Sequence, residues 1–323
     1  MGTRSRLAQA YDDLATLQDA GVPILRSVDI LTEGRQGHLK STLHEMGESL
    51  SQGVSLAESM ERHRNTFPEL DRMLIEAAEA SGSLGDSLKM LSQWHEFVHR
   101  ITRRMQMGLI YPFFILHAAA FVVGIPSFVL GNSSLGEYLL GVAYILAFLW
   151  IPTILIVIAI RLRDRVPALR LPLDFIVLRI PVLGRAVYHL SVCRYAKAFA
   201  MLYRAGVPIT ETTERATRAT GNVLVARQFA GGQESVRQGG MAWEGFSSRL
   251  PAEYRHLWQI GEESGELDKV AMKVADVSGD RADFFFKAFA SGFPKVVYFV
   301  IMIVLVMMVL RTWNEAYGNL GNF

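Results

Sequence analysis

The 323-residue chain has a single cysteine, Cys193, so no disulfide can close within it, and its water-facing parts suit a reducing compartment. It has almost no net charge. The 33 Lys and Arg against 31 Asp and Glu leave +2, which gives no support for nucleic-acid binding. No G-x-x-x-x-G-K-[ST] loop occurs, so any ATP-driven work would have to come from a partner. The opening stretch MGTRSRLAQAYDDL lacks an apolar core and does not read as a cleavable signal. Alternating apolar and polar runs of useful length are also missing, which excludes a β fold and leaves an all-α class.

Charge is absent locally as well. Met105–Gly136 contains no Asp, Glu, Lys or Arg across 32 residues, and Tyr138–Ile160 none across 23. A spanning helix needs roughly 20 apolar residues, so these runs predict a transmembrane hairpin joined around GNSSLGE, with kinks at Pro112 and Pro126. Val296–Leu310 is shorter, at 15 uncharged residues, but reaches spanning length if Lys295 and Arg311 snorkel from its ends. Arginines flank both ends of the hairpin (Arg100, Arg103, Arg104; Arg161, Arg163, Arg165), while its connecting loop carries only Glu137. The positive-inside rule then predicts an N-in, C-out protein with three spans. The chain divides into a helical domain at 1–104, the hairpin at 105–160, a basic cytoplasmic linker at 161–184, a second helical domain at 185–290, a third span at 291–312 and an external tail at 313–323. The one histidine at depth, His117, reads as a hydrogen-bonded packing residue, because no ionisable partner lies near it in the spans.

What is present in abundance is repetition. The corner AGVPI occurs at Ala20–Ile24 and again at Ala205–Ile209, 185 residues later. Each reads as a helix stop at Gly21 or Gly206, in the left-handed conformation, followed by Pro23 or Pro208 at the first position of the next helix. Phe67-Pro68 and Leu250-Pro251 follow 183 apart, as do the Ser-Gly corners at Gly82 and Gly265, and Pro112 and Pro294 open apolar runs 182 apart. Landmarks in one order at near-constant offset predict an internal duplication. About six helices are expected per copy, each copy with a small core of its own. Ser55-x-x-Glu58 and Thr66-x-x-Glu69 read as capping boxes.

The repeated corner, the run IPVLGRAVYHLSVCRYAKAFAMLYRAGVPI, and the GEESGEL and AEASGSL corners, set in a two-domain, three-span layout, resemble the type II secretion system F family over residues 5–312. The resemblance implies an inner-membrane platform with no catalytic chemistry and no cofactor. A cytoplasmic hexameric ATPase would drive it to add or remove pilin or pseudopilin subunits, alongside other inner-membrane assembly proteins. It also implies a homo-oligomer, for which Gly108, Gly124 and Gly141 on the spans would permit close helix packing.

Two motifs ask for separate readings. His95-Glu96-x-x-His99 is an H-E-x-x-H pattern: on a helix, His at i and i+4 share a face and bind zinc, with the Glu as general base. A membrane-bound metalloprotease is therefore the alternative. It needs a third ligand, yet no carboxylate stands between Arg100 and Gly136, and the second copy has Ser278, Gly279 and Ala282 at these positions. A solvated polar face is the expectation for the motif. Glu79 and Glu262 each stand three residues before a helix-ending glycine, where a carboxylate opposes the helix dipole. Each is expected either to cap the first amides of the next helix or, with Glu263, to meet basic groups on the ATPase or on a second platform subunit.

Overall fold

The computed structural model describes residues 3–123, 125–129 and 134–317. Gly124, residues 130–133 of the expected connecting loop and residues 318–323 of the expected tail lie outside the described residues, as do the surroundings of Gly108, Pro112 and Pro126. Every regular element among the described residues is helical. In chain order these are α1 (Thr3–Asp19), α2 (Ile24–Glu33), α3 (His38–Ser51), α4 (Leu56–Arg62), α5 (Glu69–Ser81), α6 (Leu84–Val123), α7 (Ile125–Val129), α8 (Leu135–Arg165), α9 (Pro167–Arg179), α10 (Leu183–Arg204), α11 (Ile209–Ala219), α12 (Val223–Arg237), a 3-10 turn (Ala242–Gly245), α13 (Ala252–Ser264) and α14 (Leu267–Tyr317). The succession α1–α6 recurs as α10–α14, with the 3-10 turn in the place of α4.

Punctuation explains the recurrence. Gly21 and Gly206 have φ of 76° and 83°, a region that side chains with a Cβ rarely adopt. In both copies the residue after the glycine donates its amide five residues back, Val22 to Leu17 at 2.9 Å and Val207 to Leu202 at 3.1 Å, which is the Schellman closure of a helix. Pro23 and Pro208 sit one position earlier than expected, at the N-cap, where their carbonyls accept the first helical bonds from Ser27 and Thr212. Of the expected capping boxes, Ser55 accepts from the Glu58 amide, but Thr66 pairs with His38 instead, and Pro68 holds the N-cap of α5. A full capping box stands elsewhere, between Ser134 and Glu137 at the start of α8.

Contacts divide the chain into two compact units. One joins Met1–Thr102 with Val177–Asp283, the other Arg103–Ile176 with Phe284–Phe323. In the first unit each half has its own core, but neither core is made by one half alone. Met201 and Leu202 of α10, with Ala205 just after it, enter the core built by α1–α6, and Leu70, Trp94 and Val98 of the first half enter the core built by α10–α14. The second core is aromatic: Tyr195 stacks on Phe229 at 3.7 Å, and Phe199, Phe246 and Trp258 surround them at 5.2–6.2 Å. Burying each such ring contributes on the order of 1.5–3 kcal/mol.

The second unit reverses the usual rule of burial. Phe114, Leu140, Tyr144, Met307 and Leu310 are among its many exposed large apolar side chains. Within it Trp150 of α8 donates to Nε2 of His117 on α6 at 3.2 Å. That fixes His117 Nδ1–H as the donor to the Phe113 carbonyl at 2.7 Å, so both ring nitrogens are satisfied, as expected of a packing histidine. Residues 161–184, expected as a linker, are largely helical, because α8 continues to Arg165 and α9 starts at once with Pro167, a favoured first residue. Among the described residues no single helix is long and apolar enough to cross a membrane by length and composition; Phe113–Val122 and Leu135–Ala147 are shorter apolar stretches. Ala168–Arg179 and Leu183–Arg204 reach that standard only together, across a 120° bend. Of this pair only α10 is core, mostly buried within the first unit, whereas α9 exposes Leu169, Leu171, Phe175 and Ile176.

Candidate functional site

Three polar arrangements stand out against this helical frame. The first is at the repeated Ser-Gly corners. The Glu79 carboxylate, in the last turn of α5, accepts from the amides of Leu56 at 2.7 Å and Ala57 at 2.9 Å, which open α4. Glu262, in the last turn of α13, does the same for Ala242 at 2.7 Å and Trp243 at 2.8 Å, which open the 3-10 turn. Both acids therefore cap the preceding element, not the following helix as the sequence suggested. The reason is antiparallel packing: the end of α5 lies beside the start of α4. A carboxylate that opposes its own helix dipole gains from the free amides of its neighbour. Burial pushes the Glu262 carboxyl above its usual range, against the lowering effect of its two amide bonds. Glu263 is the exposed member of this set and accepts from Gln259 at 2.8 Å.

The second arrangement corrects the reading of H-E-x-x-H. His95 is not on a solvated face; it is 3% exposed, and its Nε2 lies 2.6 Å from Oδ2 of the fully buried Asp71 on α5. Tyr11 of α1 donates to the same oxygen at 2.8 Å. With Nε2 donating, the unpartnered Nδ1 is the lone-pair side of the ring, the cheaper one to leave unsatisfied. Burial first, then the Asp71 charge and hydrogen bond, raise the Tyr11 hydroxyl well above its usual value. Glu96 instead faces solvent and pairs with Arg100 at 3.2 Å, while His99 is half-buried. Nε2 of His95 is thus engaged by Asp71, and the would-be base Glu96 points away to solvent. Among the described residues no group of three or more His, Cys, Asp or Glu is placed to hold a metal ion. The sequence spacing hid this triad, because its members are 24 and 60 residues apart and on three helices. The 183-residue register would have hinted only that the second half differs, since Tyr254 and Ser278 stand at the matching positions.

The third arrangement is a charged seam between the halves. Arg215 of α11 pairs with Glu76 of α5 at 3.1 Å and with Glu211 at 2.5 Å, and Arg218 approaches Glu69 at 3.8 Å. Glu69, Arg72, Glu76, Arg215 and Arg218 line a cavity of about 710 Å³. Its walls carry both signs, already matched within the chain, and they offer no constellation for acid–base or nucleophilic chemistry.

Comparison with known proteins matches the chain twice to one family profile, Type II secretion system (T2SS), protein F, over residues 10–130 and 195–311. The type IV pilus assembly protein PilC of Pseudomonas aeruginosa is 28% identical over 293 residues, covering 84% of this chain and 78% of that protein. The type II secretion system protein F of the same organism is 27% identical over 289 residues, covering 83% and 71%. PilC of Thermus thermophilus is 26% identical over 291 residues, covering 81% and 70%.

Proposed function

Since this chain belongs to the type II secretion system protein F family, we propose that it is the inner-membrane platform on which a cytoplasmic hexameric ATPase assembles or disassembles pilin-like subunits, in a type IV pilus or a type II secretion machine. The observation that carries this reading is the double match: the family profile covers both halves of the first unit and the apolar runs that leave them. Relatives named for pilus assembly and for secretion match over nearly the same length. The chain needs no chemistry of its own in this role. Its work is to hold a rigid cytoplasmic body, and the corners capped by Glu79 and Glu262 give that body fixed angles.

Three spans, within 105–136, 138–160 and 291–312, are part of the proposal. Two physical arguments support them. Water would penalise the exposed aliphatic and aromatic surface of the second unit, whereas a bilayer favours it. The two halves of the first unit interleave their cores and so must lie on one side of the membrane, which requires an even number of crossings between them. The hairpin supplies two. Arginine flanks put that side in the cytoplasm, beside the ATPase. The test is to delete the chain and restore it. Deletion should abolish pili or pseudopilus-dependent secretion, and the restored, tagged protein should bring a hexameric ATPase with it from detergent-solubilised membranes. Normal assembly without the chain would end the proposal.

A further inference from the structure

Inside the chain the two halves meet head to tail. α5 of the first half lies on α10 and α11 of the second. Ala77 and Ala80 of α5 line one cavity with Val207, Glu211 and Arg215. The reverse contact, α13 on α1 and α2, does not occur to a comparable extent. A head-to-tail contact made once leaves one face of each kind uncovered.

Exposure marks those two faces. Ala205 is 4% exposed beneath α5, while Ala20, its counterpart 185 residues earlier, is open. Ala77 is half-buried, while Ile260, its counterpart 183 residues later, is 56% exposed. Ile30, which stands where Arg215 stands, is 38% exposed. Among the described residues of α1–α5 and α10–α13, Ile30 and Ile260 are the two exposed large apolar side chains, and each lies on one of the uncovered faces.

Charge agrees with shape. Arg26 occupies the position of Glu211 (26 + 185), whose cavity neighbour Ala80 corresponds to Glu263 (80 + 183). Glu33 occupies the position of Arg218 (33 + 185), whose neighbour Arg72 corresponds to Arg255 (72 + 183). When the internal contact is transposed, Arg26 therefore falls beside Glu263, Glu33 beside Arg255, and Ile30 beside Ile260. Both charge pairs are opposite in sign, and the seam's ion pair Arg215–Glu76 gives way to Ile30 and the neutral Gln259, with Ile260 in the place of Ala77. Among the described residues neither Arg26 nor Glu33 has an ion-pair partner within the chain, and the buried Nε of Arg255 has no acceptor.

We infer that a second copy of this chain docks its α13 on the α1–α2 corner of the first, repeating between chains the contact that α5 makes with α10 and α11 within one. The interface is heterologous: each chain offers both faces, so copies add in one direction and close into a ring where the rotation permits. Rim charges set the register, and the isoleucine pair forms the dry centre. This inference does not depend on the platform reading, because it concerns only the first unit.

The test uses the full-length protein in its own membrane, with Ile30→Cys and Ile260→Cys variants and a short bis-maleimide. Membranes carrying the two variants as separate chains should give a cross-linked dimer, each variant alone should stay monomeric, and the double variant should give a ladder of multimers. Absence of product from the mixed chains overturns the inference. So does product from Ile260→Cys alone, which would mean that the face meets itself. In the double variant, Glu263→Arg should weaken the ladder at least tenfold and added Arg26→Glu should restore it. If Glu263→Arg leaves the ladder unchanged, or the reversal fails to restore it, α13 does not meet that corner.

Discussion

The two halves of the first unit keep the same corners and fill them differently. Gly82 and Gly265 end helices at φ of 72°, and Glu79 and Glu262 bind paired amides at nearly identical distances. Between those fixed points the first half buries an ionic cluster, Tyr11, Asp71 and His95, while the second buries a set of stacked rings around Tyr195 and Trp258. Backbone geometry is the same in the two halves where orphan amides must be satisfied, and side chains differ where only volume and local satisfaction matter. Removing one member of a buried charge network strands the polar groups it satisfied, whereas truncating one ring of an aromatic cluster loses buried area and leaves a cavity.

That contrast gives its largest effect at Asp71. Asp71→Ala strips His95 and Tyr11 of their shared acceptor and leaves two buried donors unsatisfied, at a cost of ~1–3 kcal/mol each. Tyr254→Phe, at the matching position of the second half, removes a hydroxyl that meets His189 at 3.1 Å and Arg281 at 3.4 Å, and should cost only ~0.5–1.5 kcal/mol. Thermal melting of the detergent-solubilised protein compares the two. Equal losses would erase the distinction between the cores.

The corners should behave alike. Glu79→Gln and Glu262→Gln each replace a two-amide acceptor by a neutral group with one accepting oxygen, at a cost of ~1–3 kcal/mol. If only one of the pair melts lower, the corners are not equivalent. Glu262 adds a pH signature. Its folded pKa is raised, so its protonated form is favoured by folding, and the stability it contributes is present below the ordinary carboxylate value of 4.5 and lost as pH rises through the raised one. The parent's advantage over Glu262→Gln should therefore widen as pH falls from neutral towards 4.5. A gap that narrows over that range would contradict burial as the dominant cause. The smallest effect is expected at the seam. Arg215→Ala breaks pairs to Glu76 and Glu211 that are largely solvated at their acidic ends, and should cost ~0.2–1 kcal/mol, further reduced by salt.

Much of this frame was legible in the chain itself. Gly21, Gly82, Gly206 and Gly265 mark left-handed helix stops because no other residue is at ease there, and the constant offsets between them expose the repeated order of helices. The recurrent acids at 79 and 262 signalled a cap, because a carboxylate in a last turn needs compensation. Their recipients were not legible, since an antiparallel neighbour is a tertiary fact and the first amides of the next helix are the local guess. His95 was misread for a similar reason. Its neighbours Gln93, Glu96 and Arg100 are exposed, and only the approach of Asp71 from α5 turns that face of α6 inward. Nor did spacing reveal that Met201 and Leu202 belong to the core of the other half. Each half read as self-sufficient because a 100-residue helical segment ordinarily can be.

The central claim is that both halves form one cytoplasmic body from which the apolar runs enter the membrane. The direct measurement is labelling of single introduced cysteines in intact cells with a membrane-impermeant maleimide. Lys40→Cys reports the first half, Gln238→Cys the second, and Gly136→Cys the hairpin turn, where an added Cβ meets nothing closer than 3.9 Å. Cys193 is silent in this assay, because it is buried and its thiol is pushed up to about 12 by that burial. The account predicts labelling at 136 from outside, and at 40 and 238 only after the cells are broken. Labelling of position 40 or 238 in intact cells would contradict it.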